Sequence, residues 1–148
     1  MPTPPTHVLA PYLVVKGGFE AMAFYTKVFE FKELFRLVDP NDGRLGHAEL
    51  QKGHAIFMLA DEYPDMGNVS PRTLGGSPVL LHVYVEDVDA TVDRAVAAGA
   101  KLVRPVADQF YGDRSGGIED PFGHQWYFAT QKEIVSMEEL ERRAKEKG

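Results

Sequence analysis

A chain of 148 residues, 44% hydrophobic and 26% charged, is long enough to bury a real core, as one domain or as two small fused modules. Its formal net charge of −6, with Lys and Arg scattered apart from a Glu/Lys/Arg-rich C-terminal end, leaves no basic patch for a polyanion and argues against nucleic acid as a partner. No apolar run approaches the roughly 18 to 20 residues of a membrane span, and the opening MPTPPTHV lacks the basic-then-apolar order of a signal peptide. With no cysteine in the sequence, a disulfide framework, thiolate zinc sites and a cysteine nucleophile are excluded, and the expected setting is cytoplasmic.

Residues 11–16, PYLVVK, form a short β-rich run broken by Gly17 and Gly18. Phe19, Met22, Ala23, Thr26 and Phe29 then fall near helical spacing and predict an amphipathic helix over 19–30. Residues 31–39, 44–51 and 54–60 read as three strands, separated by the turn signals Pro40-Asn41-Asp42-Gly43 and Lys52-Gly53. The first module is therefore βαβββ over residues 8–60. Residues 61–78 carry Pro, Gly, Asn and Ser without periodicity and read as a linker.

The same order returns over residues 79–130. VLLHVYVE (79–86) is a strand, and Val88, Val92, Ala95 and Val96 line one face of a helix that stops at Gly99. Three β-like runs follow at 101–106, 114–119 and 124–130, the last two joined by Asp120-Pro121-Phe122-Gly123. Residues 131–148 form a tail in which Ser136-Met137-Glu138-Glu139 predicts a capped, solvated terminal helix.

The two halves also share residues. Arg44, Gly46, Glu49, Gly53 and His54 recur as Arg114, Gly116, Glu119, Gly123 and His124, each 70 positions on, and Val15 and Val85 fit the same offset. A duplication with pseudo-two-fold symmetry is expected. Within it Glu49 and Glu119 read first as structural carboxylates paired with Arg44 and Arg114. His54 and His124 follow turn glycines and read as turn residues.

Tandem βαβββ modules, HAEL (47–50), residues 108–114 (DQFYGDR) and DPFGHQW (120–126) together resemble the PhnB-like branch of the vicinal oxygen chelate superfamily. That superfamily holds glyoxalases, extradiol dioxygenases and fosfomycin- and bleomycin-resistance proteins. The resemblance covers nearly all of residues 8–130. It implies an α+β fold in which two tandem modules form a curved mixed sheet around a cavity, and it implies a homodimer. The positions where the family holds a divalent metal correspond here to Ala10, Leu80, Tyr127 and a residue near Phe57, none of which offers a donor for a cation.

The expected function is accordingly binding of a small, partly aromatic organic molecule without a cofactor, and no catalytic residue is assigned. Strand alternation sets His82 on the face of Leu80, and His47 and Glu49 on one shared face. Tyr12, Tyr84 and Tyr127 would line the cavity with rings and hydroxyls, and Gln125 and Arg114 are added as polar contacts. If Tyr127 faces the cavity, Trp126 and Phe128 belong to the core. The alternative is a metal-dependent lyase, isomerase or dioxygenase with a relocated ligand set. Two imidazoles and one carboxylate, His47, His82 and Glu49, are the donor types of a non-haem iron site. No P-loop, GxSxG, HExxH or GxGxxG pattern occurs, so nucleotide and serine-hydrolase chemistry lack support.

Overall fold

The computed structural model describes residues 9–147, and the chain divides between Gly76 and Ser77 into two compact units. The first contains β1 (Tyr12–Val15), α1 (Gly18–Lys27), β2 (Lys32–Val38), β3 (Leu45–Lys52) and β4 (Ala55–Asp61). Its sheet runs β1-β4-β3-β2, with β1 parallel to β4 and the other neighbours antiparallel. The segment read as a linker is not featureless. It holds a 3-10 turn at Pro64–Met66 and the short helix α2 (Pro71–Leu74).

The second unit repeats the plan with β5 (Leu80–Tyr84), α3 (Val88–Ala97), β6 (Lys101–Asp108), β7 (Asp113–Glu119) and β8 (Gln125–Gln131). Its sheet runs β5-β8-β7-β6, again with one parallel pair, β5 and β8. The tail forms α4 (Met137–Lys147), and the Ser136 hydroxyl accepts from the Glu139 N–H at 3.2 Å. The Glu139 carboxylate goes to Arg142 and Arg143, so one half of the expected capping box is made. No helix among the described residues is long and apolar enough to cross a membrane.

Helices α1 and α3 each cover one face of their own sheet. On α1 the buried stripe is Gly18, Ala21, Met22, Phe24 and Tyr25, while Ala23 is exposed and Thr26 donates back to the Met22 carbonyl. The stripe is thus rotated from the one the sequence suggested, because Tyr25 is fully buried and takes the centre of the contact. Tyr25 meets Phe57 edge-on at 5.3 Å and Phe57 meets Phe31 at 4.9 Å. Each such ring removes about 1.5–3 kcal/mol worth of apolar surface from water. On α3 the buried residues are Val88, Thr91, Val92 and Ala95; Val96, placed on that face from sequence, is 43% exposed.

The element order repeats, but the sheet register does not follow the 70-residue offset. Glu49 stands opposite Met58, so a constant offset would set Glu119 opposite Phe128; it stands opposite Gln125. The reason is the turn. Lys52 pairs with Ala55 across Gly53 and His54, whereas Glu119 pairs with Gln125 across the longer Asp120–His124 turn. In the sheets, the row Tyr12–Met58–Glu49 corresponds to the row His82–Tyr127–Gly117.

Candidate functional site

On the first sheet, Leu13, Val15, Leu45, Ala48, Leu50, Phe57 and Leu59 are buried toward α1, which turns Tyr12, His47, Glu49 and Met58 to the opposite face. There Tyr12 Oη lies 2.8 Å from His47 Nδ1, and His47 Nε2 lies 3.0 Å from Glu49 Oε2. The carboxylate can only accept, so in the neutral imidazole Nε2 carries the proton, Nδ1 is the acceptor and the Tyr12 hydroxyl donates to it. A register shift between Leu37 and Val38 lets His47 and Glu49 share this face while Leu45 returns to the core. The rings of Tyr12 and Phe35 lie 5.4 and 5.7 Å from the His47 ring. Partial burial, and secondly the Glu49 charge, raise the Tyr12 pKa above 10.0.

On the second sheet the face away from α3 carries His82 between two tyrosines, with ring centroids 5.0 Å from Tyr84 and 5.7 Å from Tyr127. The charge of the buried Asp113, ahead of desolvation, raises the pKa of the Tyr84 phenol. Ser115 Oγ donates to Tyr127 Oη at 3.4 Å. Gly117 lies under the Tyr127 ring: a Cβ there would sit 2.9 Å from Cδ1, so a side chain would lift the ring off the sheet. Beside it is a depression of about 120 Å³ lined by Leu80, Val103, Arg104, Gly117, Gln125 and Tyr127, among others.

Residues 6–128 match the Glyoxalase/Bleomycin resistance protein/Dioxygenase superfamily. The chain belongs to this superfamily. It is 41% identical over 143 residues to an uncharacterised Mycobacterium tuberculosis protein, covering 95% of this chain and 84% of that one. TioX from Micromonospora sp. ML1 superposes with a TM-score of 0.63 at 29% identity, over 83% of this chain and 97% of TioX. The PhnB protein from Bacillus cereus shares the fold, with a TM-score of 0.67 at 19% identity, over 84% of this chain and 99% of that one.

The superfamily's usual metal positions do not suit a cation in this member. Leu80 has no donor atom, and Tyr127 offers only a phenol oxygen, which accepts from Ser115 Oγ. Phe57, the sequence-derived counterpart of Tyr127, is 4% exposed and packed in the core; the register puts Met58 at that place instead. A thioether is a poor ligand for a hard or borderline ion. Among the described residues no three His, Cys, Asp or Glu side chains come together as a metal site.

Several sequence expectations need correction. Arg114, proposed as a ligand contact, points toward α3: its Nε and Nη2 donate to Asp89 at 2.8 and 3.1 Å and Nη1 to Asp108 at 3.1 Å. Arg44 pairs with Asp42 at 2.6 Å, and Glu49 bonds to His47, so neither arginine holds its proposed glutamate. Gln125, by contrast, does line the depression beside Tyr127, paired with Leu80. Sequence reasoning missed Phe35, Asp113 and Ser115. The alternation Asp113, Ser115, Gly117 along β7 was the available signal, but only the pairing of Gly117 with Tyr127 fixes which face it takes.

Proposed function

We propose that this protein binds a small, partly aromatic organic molecule on the sheet face that a unit turns away from its own helix, α1 or α3, with no metal at the superfamily's usual positions. The reading is supported above all by His82 held between Tyr84 and Tyr127, with Leu80 and Tyr127 standing where metal ligands would be needed. Rings with hydroxyl or imidazole edges favour a flat molecule that also makes directed hydrogen bonds. The ready test is a thermal-shift and calorimetric screen of planar aromatic compounds against protein purified in chelator, with elemental analysis of the untreated protein. Saturable binding that survives chelation is expected, and His82→Ala should weaken it by about 0.5–3 kcal/mol. Stoichiometric metal in the untreated protein that disappears in His82→Ala would overturn the reading in favour of a metal-dependent enzyme.

We also propose a homodimer. Strands β2 and β6 are sheet edges, and Leu34 and Leu37 on the first, Leu102 and Val103 on the second, are 41–59% exposed. Symmetric pairing is the commonest way to cover such surface.

A further inference from the structure

We infer that the molecule held on the first unit's face carries a hydrogen-bond donor, a phenolic O–H or ring N–H, that docks on Tyr12 Oη, and that Glu49 sets this preference through His47. The inference rests on the binding reading above and adds the polarity of the group recognised. In the neutral imidazole Glu49 fixes the proton on Nε2 at 3.0 Å, which leaves Nδ1 as an acceptor for the Tyr12 hydroxyl at 2.8 Å. The phenolic proton is thereby spent inside the protein. Tyr12, 47% exposed, offers outward only the lone pairs of its oxygen. Its pKa is raised, so the phenol keeps that proton in neutral solution.

Three features reinforce this polarity. The charge at the end of the relay is a carboxylate, which draws the hydroxyl proton inward and makes the phenolic oxygen a stronger acceptor through hydrogen-bond cooperativity. The rings of Tyr12 and Phe35 on either side of His47 give a flat donor-bearing ring an apolar surface to lie against. In the second unit the charge of the buried Asp113 likewise raises the pKa of Tyr84, so that phenol too stands beside a carboxylate. A ligand bearing only acceptors would meet oxygen lone pairs at Tyr12.

The test uses two probes that share a ring and differ in the donor, 2-naphthol and 2-methoxynaphthalene, titrated by calorimetry and by amide shifts of labelled protein. The unmodified protein should bind the naphthol about tenfold more tightly, the size of one hydrogen bond, with shifts centred on β1 and β3. Tyr12→Phe keeps the ring, removes the oxygen and should equalise the two affinities. Glu49→Leu frees the His47 tautomer, lets Tyr12 turn its proton outward, and should shrink the preference while the circular dichroism spectrum stays unchanged. Equal affinities in the unmodified protein, or a preference that survives Tyr12→Phe, overturn the inference and leave the binding reading standing. Failure of both probes to bind at millimolar concentration overturns both.

Discussion

Asp120 shows how much one side chain can organise. It is 1% exposed, and its Oδ1 accepts from the N–H groups of Phe122 and His124 at 2.9 and 3.0 Å while Oδ2 accepts from Trp126 Nε1 at 2.8 Å. The turn and the core indole are thus held by one carboxylate, and Trp126 stacks on Phe128 with planes 5° apart. Asp120→Ala would leave three donors, two of them buried, without their acceptor and should cost about 3 kcal/mol, read as a lower denaturation midpoint with an unchanged slope. The sequence marked DPFG as a turn, because Asp, Pro and Gly each favour one of its conformations. That the same Asp reaches the indole of the following strand was not legible, since it depends on which face Trp126 takes. The same limit explains Arg114: its partner Asp89 lies 25 positions away on a helix, and only packing brings the two together.

At the scale of elements, both modules fasten the start of their helix to the end of their last strand. Asp61 Oδ1 accepts from the Gly18 N–H at 2.6 Å, and its Oδ2 accepts from the Leu45 N–H at 2.7 Å. Thr130 Oγ1 accepts from the Val88 N–H at 2.9 Å and donates to the Val85 carbonyl at 3.0 Å. Gly18 is required there, since a Cβ would come within 2.9 Å of Leu45 Cβ. The α1 N-terminus has no capping side chain of its own at Gly17, so Asp61 substitutes for one. Asp61→Ala should destabilise the first unit by about 2 kcal/mol, with faster amide exchange in the first turn of α1 than in α3.

Helix α4 offers a pH test at the same scale. Glu139, bonded to Arg142 and then Arg143, has its pKa lowered from 4.5 to about 2. A carboxyl depressed in the folded state contributes its stabilisation above its unfolded value and loses it as pH falls through the folded one. The helix should therefore fray between about pH 4.5 and 2, and Glu139→Gln should abolish that pH dependence. Because these groups are exposed, the effect should also weaken in high salt. Amide exchange or Cα chemical shifts of residues 137–147 would report it, and helicity constant across that range would refute the role given to Glu139.

For the whole molecule, the proposed dimer makes a direct prediction: light scattering at micromolar concentration should give twice the chain mass of 16.5 kDa, and a value near 16.5 kDa would exclude it. Two βαβββ modules and nearly every element were readable from the sequence, because turn residues punctuate it and apolar periodicity switches between helix and strand. The superfamily was readable as well, from element order together with HAEL and DPFGHQW. Residue identity by itself gave the expectation that the superfamily's metal positions hold no divalent cation, since Ala10 and Leu80 have no donor atom and Tyr127 offers only a phenol. Tertiary structure alone decided the register of the second hairpin, where a longer turn moves Glu119 opposite Gln125. It alone joined Tyr12, His47 and Glu49 into one hydrogen-bonded relay and took Arg114 away to Asp89. The physical reason is that strand periodicity only sorts side chains into two faces; pairing between strands, and for Arg114 the packing of α3 on the sheet, decides which residues become neighbours.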